Sequence, residues 1–435
     1  MTVVAAVFIL YSLAASRLDR VSVSGPLVFV AAGVLVGPAA SDGLPSALGG
    51  ESGKLLAELT LAILLFADAS TVRLRDVLSD ALLPARLLLF GLPLTLVLGT
   101  LAAKLLFPSE GWAMAALIAS ILAPTDAALG LAVVTNRAVP VRIRRALNVE
   151  SGLNDGIATP FVTLFLLVVA AEEAVGGGDW ASEALKELGL AIVVAIVVGI
   201  AGGFAVTAAR NRSWTSPLSE QLAVLSLALL PYSAAVTIGG NGFVAAFVGG
   251  ILFGAATGGR LAEQTEFTEN LALFASFMVW TLFGAFLVGP EIRDGIDGNA
   301  IVYALISLTV VRMIPVAVSL WGLRLRFETL AFAGWFGPRG LASVVFLLIA
   351  AEDLHGQPST ATLTAAVTFT VLFSVVLHGL TAGPLASSYG RRIEAAGEGI
   401  PELAVAPEPR VRRRGLSHRS GQSDRPTPGF EHHPS

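Results

Sequence analysis

Inside the long apolar stretches of this 435-residue sequence stand only a few charged side chains, and they fall in short runs. An acid or base near the centre of a bilayer costs about 2.5–3.5 kcal/mol on insertion scales, so each such group marks a candidate site. The richest run is Glu150-Ser151-Gly152-Leu153-Asn154-Asp155-Gly156. At helical spacing Ser151 and Asp155 share one face, and Glu150 and Asn154 the adjacent one. Two carboxylates, a hydroxyl and an amide within about two turns make the oxygen set that hard monovalent cations prefer. The plain alternative is polar glue between helices, for which two acids together are a costly choice.

A second run, Ala123-Pro124-Thr125-Asp126, interrupts an apolar stretch with a proline that removes a backbone donor. Freed carbonyls, the Thr125 hydroxyl and the Asp126 carboxylate then meet at one depth. Asp126 can cap the half-helix that follows, touch a cation, or do both. Arg312 lies deep within 304–320 and needs a buried anion, with Glu150 as candidate partner and Asp126 as the alternative. Gly337-Pro338-Arg339-Gly340 breaks another apolar stretch. There Arg339 offers electrostatic support to the negative site, pairs with a carboxylate elsewhere, or anchors a helix end. Asp68 reads as an interfacial charge beside Arg73 and Arg75, and His378 as a hydrogen-bonded core histidine rather than a pH sensor.

The elements that must position these groups are membrane helices. Of the residues 54% are hydrophobic and 14% charged, and mean hydropathy is +0.76, whereas soluble domains carry about 25% charged residues. Apolar stretches of the length that crosses a hydrocarbon core recur from end to end. Their expected bounds are 2–16, 24–39, 54–69, 85–107, 112–134, 148–171, 185–209, 218–237, 240–257, 267–289, 299–323, 328–350 and 361–385, thirteen spans in all. The first resembles the core of a signal peptide but has no basic residue before it, and it reads as a short span. Zero cysteines exclude thiol nucleophiles, disulfides and cysteine-ligated metals, and five histidines form no metal-spaced cluster. No cofactor and no nucleic-acid partner are expected, and the net charge of −4 says little by itself because the charges sit in loops and tail, where local sign matters more than the sum.

Arg17, Arg20, Arg73, Arg75, Arg137, Arg142, Arg144, Arg145, Arg210, Arg212, Arg260, Arg324 and Arg326 fall in odd-numbered loops, while even loops and their edges hold only Lys54, Lys104, Lys186 and Arg293. The positive-inside rule then places odd loops in the cytoplasm, the N-terminus outside and the C-terminus inside. Residues 1–389 read as a transmembrane domain and 390–435 as a disordered cytoplasmic tail, in which Arg410, Arg412, Arg413 and Arg414 either meet anionic lipid or merely fix topology. The fold class is an all-α polytopic membrane protein. Spans 1–6 and 8–13 form two six-helix halves of opposite orientation, and the fifth member of each half is broken. Inverted repeats with broken helices are a transporter signature.

Thr125-Asp126, Glu150 to Asp155, Arg312 with Pro315, and Gly337-Pro338-Arg339-Gly340 together resemble, in order and spacing, the monovalent cation:proton antiporters of the sodium/proton exchanger branch. Leu64-Leu65-Phe66-Ala67-Asp68, Gly240-Asn241-Gly242-Phe243 and Gly25-Pro26 with Gly33 and Gly37-Pro38 are similar to weaker signatures of that family, and the resemblance covers roughly 1–385. It implies a thirteen-helix antiporter fold, a homodimer, and a mobile core in which spans 5 and 12 cross. It implies that Asp155 carries the ion and the proton, that Asp126, Ser151 and Thr125 help coordinate the cation, and that Glu150 pairs with Arg312. Asn154 before Asp155 matches the electroneutral branch. Two departures, Ala127 where proline is common and Pro338 where leucine is common, leave ion preference less fixed than fold.

The resemblance thus implies a plasma-membrane antiporter exchanging Na⁺, with Li⁺ or K⁺ as alternatives, for H⁺. The coupling is competition: one carboxylate holds a proton or a cation, never both. A K⁺-selective exchanger or a passive cation channel is the runner-up. A solute symporter lacks an apolar pocket, and an intramembrane protease would need a catalytic motif that the sequence does not show.

Overall fold

The structure is a computed structural model and describes residues 2–20, 23–40, 51–71, 82–173, 180–397 and 399–404. In lipid every backbone polar group must be satisfied within the chain, and the described residues answer with helices and no strand. In order these are α1 (Thr2–Arg20), α2 (Gly25–Ala40), α3 (Glu51–Ser70), α4 (Leu82–Leu106), the half-helices α5 (Trp112–Ile121) and α6 (Leu131–Val134), α7 (Val141–Glu173), α8 (Trp180–Asn211) and α9 (Pro217–Thr237). There follow α10 (Gly242–Thr257), α11 (Glu263–Asp294), α12 (Gly298–Ser319), the half-helices α13 (Phe327–Trp335) and α14 (Leu341–Asp353), and α15 (Ser359–Ala395). The described residues thus make the thirteen expected passes, two of them as broken pairs. Seven helices are long and apolar enough to cross alone. Helix α3 has the length but carries Glu51, Lys54, Glu58 and Asp68, a charge load that belongs against protein rather than lipid.

The helices pack as two groups. In the panel, formed by α1–α3 and α8–α11, α3 lies against α10 and α2 against α11. Small residues permit this: a Cβ on Gly254 would collide with the Ser70 carbonyl oxygen, and one on Gly284 with that of Val30. The core is formed by α4–α7 and α12–α15, with α5 between α4 and α7 and α15 against α12 and α14. Panel and core meet where α14 and α7 lie against α3.

The end of the chain departs from expectation. Helix α15 does not stop near 385 but runs to Ala395, and Tyr389 and Ile393 join a buried cluster with Phe332 and Phe336. Residues 401–403 then form a 3-10 turn in which Glu402 is fully buried. The boundary expected at 390 therefore lies inside a packed helix, because apolar packing outlasts the apolar run that hydropathy detects. Arg73, Arg75, the cluster Arg410 to Arg414 and all of 405–435 lie outside the described residues.

Candidate functional site

The two breaks cross, and each supplies what the other's helix ends lack. Helix α5 ends in unpaired carbonyls; the buried Arg339 from the other break donates from Nη1 to the carbonyls of Ala123 at 2.8 Å and Pro124 at 3.2 Å. In return the Asp126 carboxylate faces amide-rich N-termini. Its Oδ1 accepts from the backbone N–H of Ala128 at 2.6 Å and Leu129 at 3.2 Å, and its Oδ2 from Leu341, the first residue of α14, at 2.9 Å. The Asp126 N–H donates to Pro338 at 2.7 Å, and Ser343 donates to the Ile121 carbonyl at 2.7 Å. Gly340 is obligatory here, because a Cβ would collide with the Asp126 carboxyl. Of the readings open for Arg339, the structure places it at the crossing, without a carboxylate partner among the described residues and away from the surface. Asp126 takes the capping role.

Against this crossing α7 lays its polar run. The Thr125 and Ser151 hydroxyl oxygens are 3.0 Å apart, and Asn154 Nδ2 donates to Thr125 Oγ1 at 2.5 Å. All three side chains are buried, and Asn154 Oδ1 is a buried oxygen left without a hydrogen-bond partner. Asp155 follows Ser151 by one helical turn on the same face and is half-buried. The structure thus brings Thr125, Ser151 and Asn154 into one hydroxyl and amide cluster, with Asp155 on the adjoining turn and the Asp126 carboxylate engaged by backbone.

Glu150, on the other face of α7, receives a bidentate contact from Arg312 of α12, Nη1 to Oε1 at 2.5 Å and Nη2 to Oε2 at 2.9 Å. Both groups are buried, so each compensates the other's charge. His378 is core: Nε2 is 2.7 Å from the Trp335 carbonyl oxygen at the end of α13, and Nδ1 is 2.9 Å from that of Ser374. The pairing of Asp68 with Arg73 and Arg75 falls outside the described residues. A small cleft, with room for about one water molecule, reaches Ser151 on the side of the odd-numbered loops, lined by Ala127, Gly130, Leu147, Asn148, Phe336 and Pro338. Sequence reasoning passed over Glu58, whose carboxylate accepts from the Tyr232 hydroxyl at 2.8 Å. Its signal was available: an acid within an apolar run, one turn from Lys54.

Comparison with known proteins decides the family. The family model described as sodium/hydrogen exchanger, transmembrane, matches residues 3–388. The chain belongs to the sodium/hydrogen exchanger family. Within that family it is 27% identical over 373 residues to a K⁺/H⁺ antiporter NhaP2 of Shewanella baltica, covering 83% of this chain and 62% of the relative. It is 24% identical over 312 residues to a Na⁺/H⁺ antiporter of Schizosaccharomyces pombe, covering 63% of this chain and 65% of the relative. The chain therefore spans less than two thirds of the length of these relatives. The fold matches that of the sodium proton antiporter MjNhaP1 of Methanocaldococcus jannaschii at pH 8, with TM-score 0.72, 20% identity and coverage of 89% of this chain and 97% of that one. Family and helices together make this exchanger-family chain a multi-pass integral membrane protein, and the family is one of transporters rather than enzymes.

Proposed function

We propose that the protein is a secondary antiporter exchanging a monovalent cation for H⁺ by competition at Asp155. The observation that carries this reading is the cluster of Thr125, Ser151 and Asn154, held at the crossing of two broken helices one turn from Asp155. Oxygen donors at a helix break are where an ion can shed water without leaving backbone groups unsatisfied. The cation exchanges its shell for these oxygens and the Asp155 carboxylate; protonation of Asp155 removes the charge that held it. Asp126 and Arg339 keep the crossing rigid, Asp126 adding negative field at the site, and the Glu150–Arg312 pair fixes α7 to α12.

Na⁺ is the first choice of cation and K⁺ the second reading, favoured by the relatives named K⁺/H⁺ antiporters. Asn154 preceding Asp155 supports electroneutral exchange. The arginine-rich odd loops support a plasma-membrane orientation with the N-terminus outside and the C-terminus in the cytoplasm, and a homodimer is the proposed assembly. In proteoliposomes with an imposed pH gradient, adding Na⁺, Li⁺ or K⁺ should dissipate the gradient in wild type, and Asp155→Asn should abolish this while leaving folding and insertion intact. Retained exchange in the variant would overturn the role of Asp155, and uptake indifferent to the proton gradient would indicate a channel.

A further inference from the structure

On the side of the even-numbered loops, panel and core are joined by a ladder of contacts that the cation site itself does not need. At its outer rung Lys54 of α3 donates to Asp353 at the end of α14, Nζ to Oδ1 at 2.5 Å. One turn deeper on the same face of α3, Glu58 accepts from Tyr232 of α9 at 2.8 Å. The Tyr232 ring lies 5.3 Å from that of Phe243 in α10. Phe243 in turn meets Phe346 of α14 edge-on, 5.7 Å away at 80°. A further turn along α10, the Phe247 ring lies directly on Gly156, the neighbour of Asp155, so closely that a Cβ there would collide with it. Each layer between the even-loop surface and Asp155 either bridges panel to core or braces one that does. From the opposite side, the cleft lined by Leu147, Asn148 and Ser151 leads to the cluster.

We propose that the Lys54–Asp353 pair and the aromatic layer braced by Glu58 and Tyr232 form the gate of the ion path on the even-loop side, a positioning set for the exchange. This rests on the antiport reading above. Packed aromatic rings bar an ion because nothing in the constriction replaces its water. An exposed ion pair is weak, which suits a latch that opens in every cycle: losing it shifts a two-state balance by a few-fold without unfolding either state. Of the charges on α3, costly against lipid, Lys54 has its partner across this seam and Glu58 has its own on α9 within the panel.

The absence of native cysteine makes the test direct. Lys54→Cys/Asp353→Cys protein is reconstituted, and cation-driven dissipation of the pH gradient is compared reduced, cross-linked and reduced again. The expected result is exchange that is lost on cross-linking and restored by reductant. Cross-linked protein that exchanges at the reduced rate overturns the gate and leaves antiport standing. Independently of transport, a reporter cysteine at the buried Ala342, one turn below Phe346, is labelled with a maleimide in detergent. Labelling should be roughly two- to fivefold faster in Lys54→Ala, the range an exposed ion pair allows, and should return to the starting rate when Lys54→Asp is combined with Asp353→Lys. Equal rates in all three overturn the gate. If no cation drives exchange in any form, the antiport reading fails and labelling alone decides the gate.

Discussion

Asp126 and Glu150 were the two carboxylates open to Arg312, and the choice between them follows from how each is already engaged. Asp126 spends its oxygens on three backbone N–H groups, so Arg312 takes Glu150. Removing one member of such a buried pair leaves an uncompensated charge, at about 3–5 kcal/mol, while replacing both by apolar groups is often near neutral. Glu150→Ala should therefore lower the melting temperature strongly, and Glu150→Ala with Arg312→Met should recover most of it. A double-mutant cycle without coupling would reject the pair. The groups themselves were legible in the sequence because charge inside an apolar run stands out. Their pairing was not, since Glu150 and Asp126 both offered Arg312 a carboxylate, and only the amide-rich N-terminus of α14, placed by the fold, removes Asp126 from the competition.

At the scale of elements, the breaks at Pro124 and Pro338 were visible because proline and glycine interrupt apolar runs in an otherwise unbroken hydropathy pattern. What the sequence did not show is that each break caps the other. Nor did it show that α15 outlasts its apolar run, since Arg391, Arg392 and Glu394 end the hydropathy signal while Tyr389 and Ile393 continue the packing. Close approach at the seam between α7 and α10 carries a prediction of its own. The Phe247 ring occupies the space a side chain at Gly156 would need, and overfilling a packed contact costs about 1–3 kcal/mol. Gly156→Ala should lower thermal stability, and Phe247→Leu in the same chain should restore part of it by vacating that space. If the two substitutions add without coupling, α7 and α10 do not meet at this point in solution.

For the whole molecule, the short described segment beyond α15 folds back onto the core. On the odd-loop side the buried Glu402 accepts from the Arg326 N–H at 2.7 Å and from Thr329 Oγ1 at 2.8 Å. Arg142, at the start of α7, donates to the Pro401 carbonyl at 2.7 Å, and Ile400 packs on the cluster containing Phe332. The strap thus ties the beginning of α7, which carries Asn148 of the cleft, to the beginning of α13, which ends just before Phe336 of the cleft. These contacts lie within the core and steady the cleft. Buried donors that lose their acceptor cost about 1–3 kcal/mol, so the strap should matter to stability out of proportion to its length. Truncation after Gly397 should lower the melting temperature relative to truncation after Ala404, and Glu402→Ala in the longer of the two chains should reproduce most of that loss. Identical melting of the two truncated chains would show that residues 399–404 contribute nothing to the core they cover.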